Sequence, residues 1–253
     1  RERTLRSLMD TDVLVFIGTS TNTTVTAHEQ PLIPADATTV SIGNDTWEIG
    51  KNHPADVAIL GDPGTVLSEL ATRASTSLPE AERDRRLKRV ESTKKRLREK
   101  MRGSNDGGHD SESASKAQLV DAIRTAAPNA RIVDEGITSK YVMLSRWPFE
   151  AEQYLSNKGG GLGYGLPASV GAALAESQRS EPRDVIGFVG DGSYLYYPNA
   201  IYSAARYDLD LTVVIPDNRN YRILKENAAG LFDSDPESVP LSGVDFEPPV
   251  DIP

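Results

Sequence analysis

The 253-residue sequence contains no cysteine and only three histidines, His28, His53 and His109. Because cysteine is absent, disulfide bonds and thiolate chemistry are excluded, and thiol content gives no indication of the redox compartment. Because histidine is the side chain that ordinarily titrates near neutral pH, the chain has few candidates for acid–base work there.

Long apolar runs are also missing, since no stretch approaches the 18 residues that a membrane-spanning helix needs. The sequence shows no signal-like start, so we expect a soluble, cytoplasmic protein. The net charge of −9 disfavours binding to the phosphate backbone of nucleic acids. Hydrophobic residues make up 38% of the chain and charged residues 26%, which is compatible with one large or two modest globular domains.

A change in composition near the middle of the chain predicts two domains. Residues 79–102 are mostly charged and predict a solvated helix, and residues 103–115, rich in Gly, Ser and Asp, predict a flexible loop. We therefore predict a first domain over residues 1–77, a linker over 78–114 and a second domain over 115–253. Arg1 and Pro253 do not look like natural boundaries, so we expect a fragment of a longer protein.

The pattern of apolar residues in the first domain is typical of an α/β fold. Short apolar runs predict strands over residues 13–17, 38–42 and 57–60, and a helix over residues 64–74. The turn Gly18-Thr19-Ser20 after the first strand lacks the G-x-G-x-x-G spacing of a dinucleotide-binding loop. FAD binding is possible here but is not favoured.

The second domain contains a predicted βαβ unit, which places ligands at the carboxyl ends of its parallel strands. Residues 185–189 form an apolar run that meets Gly190-Asp191-Gly192-Ser193. A helix-compatible stretch over residues 198–207 and a second apolar run over 211–215 follow. Asp191 and Asn218 are therefore expected to lie close together, at the ends of two strands.

Two oxygen-bearing side chains at such an edge suit Mg²⁺, which takes few protein ligands and completes its shell with water and phosphate oxygens. Gly190 and Gly192 allow the backbone to approach a phosphate closely. The pattern predicts a magnesium-bridged phosphate group bound beside Asp191.

Two further segments of the second domain indicate a ligand site. Ser115 can cap a helix that runs to about Ala126, and residues 131–134 predict a strand that leads into Glu135-Gly136-Ile137-Thr138-Ser139. Five glycines between positions 159 and 165 disfavour a helix and permit a backbone that lies against a flat ligand. A small-residue helix over residues 168–175 is predicted to follow.

The GDGS segment, with an Asn 27 residues after its Asp, resembles the signature of thiamine diphosphate enzymes. The string Gly159-Gly160-Gly161-Leu162-Gly163 resembles the family's glycine-rich loop, and residues 45–62 resemble the central domain of acetolactate synthases and benzoylformate decarboxylases. The resemblance implies an α/β protein with two parallel-sheet, three-layer domains: a partial Rossmann-like central domain and a thiamine diphosphate-binding domain truncated at its C-terminus.

The resemblance also implies roles for individual residues. Mg²⁺ would be held by Asp191, the side chain of Asn218 and the main-chain carbonyl of Asn220. Leu162 would bend the cofactor, and the Gly160 carbonyl would bond its aminopyrimidine ring. His28 is a weak candidate for a catalytic histidine. The full set of implied cofactor-binding residues is Glu135, Thr138, Ser139, Gly160, Gly161, Leu162, Gly190, Gly192, Ser193 and Tyr221.

The implied activity is non-oxidative decarboxylation of a small 2-oxo acid, as in benzoylformate decarboxylases. An acetolactate synthase-like carboligase shares these motifs, and a non-catalytic nucleotide-binding α/β module is the alternative from another class. The family glutamate that activates the cofactor lies in a pyrimidine-binding domain that this chain lacks. We therefore expect weak cofactor binding and no turnover by this chain alone, and a homodimer or tetramer for the intact enzyme.

Overall fold

A computed structural model describes residues 11–19, 33–105, 114–157 and 160–252 of the chain. The chain divides into two compact units, residues 1–91 and 92–253. The boundary between the units falls inside one long helix, within the segment predicted as the linker.

The first unit contains a parallel sheet of three strands in the order β1-β2-β3, at Val13–Ile17, Thr38–Gly43 and Val57–Leu60. Helix α1, Pro63–Ser77, follows β3. It starts sharply because the Asp62 carboxylate accepts the Thr65 N–H at 2.8 Å and Pro63 occupies the first turn. The three predicted strands and the helix are confirmed, and the helix is longer than predicted at both ends.

Helix α2, Glu80–Asn105, spans the charged segment. Its side chains pair along the surface, as Arg86 does with Glu82 at 2.7 Å. The prediction that a loop begins at residue 103 is wrong, because residues 103–105 continue the helix. The rest of that predicted loop, through residue 113, lies outside the described residues.

The second unit is built on a four-stranded parallel sheet in the order β5-β4-β6-β7. Its elements in chain order are α3 (Lys116–Ala126), β4 (Arg131–Glu135), α4 (Lys140–Arg146), β5 (Tyr154–Ser156), α5 (Gly165–Glu176), β6 (Val185–Val189), α6 (Asp191–Tyr194), α7 (Ala200–Arg206), β7 (Thr212–Val214) and α8 (Arg222–Phe232).

Alternate residues of the central strands point to opposite faces of this sheet, and both faces are covered by helices. On one face, Ile132 of β4 and Phe188 of β6 pack with residues of α3 and α4. On the other face, Val133 and Val185 pack with Ala172 and Ala173 of α5. The unit therefore has three layers, which is why β6 is buried along its whole length.

Several elements differ from the sequence prediction. The helix predicted over residues 198–207 is confined to Ala200–Arg206 and is preceded by the single turn α6. Helix α5 begins at Gly165, inside the glycine-rich string. Helices α4 and α8 and strand β5 were not predicted. Among the described residues, no helix is both long enough and apolar enough to cross a membrane.

A buried ion pair joins β4 to the end of α5. The Arg131 guanidinium donates to Glu176 Oε1 at 2.7 Å, and the Arg183 N–H donates to Glu176 Oε2 at 2.9 Å. Only 3% of Glu176 is exposed. Burial opposes ionisation of this carboxyl, but the Arg183 N–H and the Arg131 guanidinium outweigh it and lower the pKa of Glu176.

We expect this pair to stabilise the fold in a pH-dependent way. Because the folded pKa is lowered, the contribution is complete above 4.5, the ordinary value, and is lost as the pH falls through the lower folded pKa. The difference in free energy of unfolding between wild type and Glu176→Gln should therefore shrink from about pH 6 to about pH 3, as measured by urea denaturation. Glu181→Gln, at an exposed site, is the control and should show no such trend. A constant difference for Glu176→Gln would contradict the prediction.

Candidate functional site

The predicted cluster at the carboxyl ends of β6 and β7 is present. Gly190 and Asp191 directly follow strand β6, and Asp191 is the first residue of the short helix α6. Asp191 is only 2% exposed. Asp191 Oδ2 accepts the N–H of Arg219 at 2.7 Å and the N–H of Asn218 at 3.3 Å. Residues that are 27 positions apart in the sequence are thus in direct contact, because parallel strands end at the same edge of the sheet.

Acidic charge is concentrated at this edge. Burial raises the pKa of Asp191, and the neighbouring carboxylate of Asp217 adds to the rise, although the N–H groups of Gly192 and Arg219 oppose it. A divalent cation would relieve the repulsion between two such carboxylates. In the described part of the chain, no group of three or more His, Cys, Asp or Glu side chains could hold a metal ion. Amide and carbonyl oxygens would therefore have to complete such a site.

The loop that faces Asp191, residues 217–220, is called the metal loop below, after the metal that the sequence predicts there. Arg219 lies in the left-handed region at φ 58°, an uncommon conformation for a residue other than glycine. Its N–H donates to Asp217 Oδ1 at 2.9 Å in addition to Asp191. The Asn220 N–H donates to Asn218 Oδ1 at 3.1 Å, and Asn220 Oδ1 is buried without a hydrogen-bond partner. An unpartnered buried oxygen is costly by itself, so it indicates a missing partner at this position.

Glu135, the last residue of β4, holds the glycine-rich loop, residues 160–164, which leads into α5. The two carboxylate oxygens of Glu135 accept the N–H groups of Gly163, Tyr164 and Gly165 at 2.8, 3.1 and 2.5 Å. Burial raises the pKa of Glu135, while these three N–H groups oppose the rise. The sequence assigned Glu135 to cofactor binding, whereas its carboxylate in this structure is occupied by the loop and the start of α5.

The other side of the same loop is held by Asn157, which directly follows β5. Asn157 Oδ1 accepts the Gly160 N–H at 3.0 Å, and its Nδ2 donates to the Gly161 carbonyl at 2.5 Å. Sequence reasoning missed Asn157 because β5 itself was not predicted.

Two glycines are required by close packing around the site. A Cβ atom at Gly192 would lie 2.5 Å from the Tyr221 ring. Gly163 has a φ of 95°, and a Cβ there would lie 2.6 Å from Tyr196 Cβ. Both positions therefore exclude larger residues for reasons of the chain's own packing.

These elements line an open cavity of about 530 Å³ within the second unit. Most of the predicted site residues line it, whereas Gly160 and Gly161 are not among the described residues that do. His28 lies outside the described residues. The predicted residues in the cavity wall are Glu135, Thr138, Ser139, Leu162, Gly190, Asp191, Gly192, Ser193, Asn218, Asn220 and Tyr221.

The cavity wall also contains residues to which the sequence assigned no role, among them Lys116, Leu119, Asp217 and Arg222. Lys116 lies in the first turn of α3, and its Nζ donates to the Thr138 carbonyl at 3.3 Å. Burial lowers the pKa of Lys116. Its position was predictable in principle, because the helix before a strand in such a fold starts at the carboxyl edge of the sheet.

Comparison with known proteins gives two family matches. The central domain of thiamine pyrophosphate enzymes matches residues 2–70, and their C-terminal TPP binding domain matches residues 134–252. Thiamine pyrophosphate (TPP) is another name for thiamine diphosphate. The two matches follow the order of domains that the sequence predicted.

Individual relatives agree with these matches. Benzoylformate decarboxylase of Pseudomonas aeruginosa is 31% identical over 219 residues, which cover 85% of this chain and 37% of the relative. The acetolactate synthase large subunit of Pyropia yezoensis is 27% identical over 216 residues, covering 84% of this chain and 35% of the relative. The chain thus spans little more than a third of the length of these curated relatives.

A solved structure shows the same fold. The thiamine diphosphate-dependent 4-hydroxybenzoylformate decarboxylase of Rhodococcus jostii RHA1 matches with a TM-score of 0.71 and 25% identity, over 95% of this chain and 41% of that chain. Two parallel-sheet α/β units, the Asp191 cluster and these relatives together lead to one conclusion. The chain belongs to the thiamine pyrophosphate enzyme family.

Proposed function

We propose that this chain is the Mg²⁺- and thiamine diphosphate-binding part of a 2-oxo acid decarboxylase of the benzoylformate decarboxylase type. The observation that carries the proposal is the contact between the Asp191 carboxylate and the metal loop at the edge of the parallel sheet. The decarboxylase assignment is supported by the relative with 31% identity and by the matching solved structure.

The chemistry of the donors fits Mg²⁺. Mg²⁺ prefers oxygen ligands and keeps part of its shell for water and phosphate. Asp191 offers a buried carboxylate, Asn218 an amide oxygen and Asn220 a main-chain carbonyl, as the family pattern implies. The side-chain Oδ1 of Asn220, which is buried and lacks a partner, lies in the same loop. We assign these three residues as the metal ligands.

The residues around Asp191 are suited to a diphosphate. Gly190, Gly192 and Ser193 are small and line the cavity beside the proposed metal site. Thr138 and Ser139 line the cavity from the turn that follows β4, and Tyr221 lines it directly after the metal loop. These residues would hold the diphosphate through hydroxyl groups and backbone N–H groups.

The glycine-rich loop would position the rest of the cofactor. Leu162 is partly buried and lines the cavity, so it is placed to support the bend of the cofactor. Gly160 and Gly161 do not line the cavity, but the Gly160 carbonyl is proposed to bond the aminopyrimidine ring, as the family pattern implies. Glu135 then contributes by holding this loop through three hydrogen bonds.

When bound, thiamine diphosphate supplies a carbanion that attacks the carbonyl of a 2-oxo acid, and it accepts the electrons released with CO₂. The residues of this chain would bind the diphosphate, orient the rings and exclude water. As the family resemblance implies, complete sites are proposed to form between subunits of a homodimer or tetramer.

A second candidate is an acetolactate synthase-like carboligase, which the Pyropia yezoensis relative favours. Both activities need the same metal and diphosphate groups. The side chains that contact the substrate would determine which of the two activities the enzyme has.

Calorimetric titration of the chain with thiamine diphosphate, with and without Mg²⁺, tests the proposal. We expect weak binding that requires Mg²⁺, and no decarboxylation of 2-oxo acids by the chain alone. ADP, titrated in the same way, is the control ligand and should not bind. Metal-independent binding together with ADP binding would instead support a nucleotide-binding module.

A further inference from the structure

The segment that follows α8 returns to the metal loop and pairs with it. Residues 244–246, called the strap below, form an antiparallel bridge in which Asn220 faces Asp245. The Tyr221 N–H donates to the Val244 carbonyl at 2.8 Å, and the Phe246 N–H donates to the Arg219 carbonyl at 2.9 Å.

The register of this bridge has a direct consequence for Asn220. In an antiparallel pair, hydrogen bonds made by the residues on either side leave the middle residue with its own N–H and C=O pointing away from the partner strand. The strap therefore uses the carbonyl of Arg219 and the amide of Tyr221. The carbonyl of Asn220 is turned away from the strap.

The backbone of Arg219 is fixed from both sides. Its N–H donates to Asp191 and Asp217, and its carbonyl accepts from Phe246 in the strap. Such bonds can hold a residue in the left-handed conformation, which is unfavourable without them. Without the strap, the hydrogen bond that the Arg219 carbonyl accepts from Phe246 would be lost.

Side chains attach the strap to the rest of the unit. The Phe246 ring packs edge-on against Tyr221, with 4.9 Å between ring centroids, and it borders Gly192 next to Asp191. Asp245 pairs with the buried Lys225 of α8 at 2.6 Å. The strap is thus joined to the metal loop, to the turn that carries Asp191 and to α8.

We propose that the strap is a positioning element that determines which main-chain carbonyl is presented to the metal. With this register, it is the carbonyl of Asn220, and a shift of the strap by one residue would present a neighbouring carbonyl. The inference rests on the proposed function, because it assumes that Mg²⁺ binds between Asp191 and the metal loop. Phe246 and Asp245 act through the loop and are not ligands.

The test compares Phe246→Ala with wild type in calorimetric titrations of Mg²⁺ and of Ca²⁺ at a fixed concentration of thiamine diphosphate. Mg²⁺ demands near-ideal octahedral geometry, whereas Ca²⁺ accepts irregular coordination. We expect Mg²⁺ affinity to fall about tenfold, as it does when supporting residues are removed, and Ca²⁺ affinity to change by less than about twofold. In the absence of metal, amide hydrogen exchange at Tyr221 should be faster in Phe246→Ala than in wild type.

Phe232→Ala is the matched control, since Phe232 is 71% exposed at the end of α8. It should leave both affinities unchanged. Asp245→Asn removes the pairing with Lys225 and should shift the Mg²⁺/Ca²⁺ ratio in the same direction. This second variant keeps the test available if Phe246→Ala does not fold.

Two results would overturn the inference while leaving the proposed function in place. One is wild-type Mg²⁺ affinity in Phe246→Ala. The other is an equal loss for Mg²⁺ and Ca²⁺ together with a lower melting temperature, which indicates a structural role alone. If wild-type protein binds thiamine diphosphate without any need for a divalent ion, the proposed function and this inference both fail.

Discussion

Asp191→Ala is expected to abolish Mg²⁺-dependent binding of thiamine diphosphate, with a loss of affinity of at least about a hundredfold. Asp191 is the carboxylate among the three proposed ligands, so it is the one that brings full negative charge to the cation. The measurement is calorimetric titration in the presence of Mg²⁺. Asp191→Asn keeps the shape of the side chain and should lose most of the same binding.

Asp210→Ala is the matched control for Asp191. Asp210 is exposed and precedes β7, so it lies at the opposite edge of the same sheet. This variant should bind as wild type does. Unchanged, Mg²⁺-dependent binding in Asp191→Ala would show that the metal is held elsewhere and would remove the basis of the proposed function.

Glu135→Ala is expected to lower the free energy of unfolding of the second unit by about 3 kcal/mol, because three N–H groups, two of them buried, lose their acceptor. The loss is smaller than three full hydrogen bonds, since the variant also removes a carboxylate whose ionisation burial disfavours. Glu135→Gln keeps one acceptor oxygen, so its loss should be about half as large. Urea denaturation measures both.

Glu181→Gln, at an exposed position, is the control and should change stability by less than about 0.5 kcal/mol. The Glu135 variants should also expose the amides of Gly163 and Gly165 to hydrogen exchange. Wild-type stability and protection in Glu135→Ala would mean that the loop is held by other contacts.

The sequence could predict the edge of the sheet that carries the site. Residues 185–189 are apolar throughout, which indicates a strand buried on both faces, and the strand over residues 211–215 was recognised in the same way. Because parallel strands end at one edge, the contact between Asp191 and Asn218 followed from spacing alone. The structure confirms this contact and both strands, although β7 is shorter than predicted.

The sequence could not predict how the site is held. The strap joins residues 219–221 to residues 244–246 through main-chain groups, which every sequence possesses, so no residue pattern signals it. Strand β5 has only three residues and is fixed by its neighbour β4 rather than by its own composition. Asn157 and the hydrogen bonds of Glu135 therefore became apparent only in the folded chain.

The two tethers of the glycine-rich loop have a consequence for protein engineering. Asn157 fixes Gly160 and Gly161, and Glu135 fixes residues 163–165, so Leu162 is the residue between two anchored stretches. Its side chain faces the cavity, while the backbone on either side is held by the side chains of Glu135 and Asn157. Position 162 is consequently where the contour of the cavity can be redesigned without loosening the loop that surrounds it.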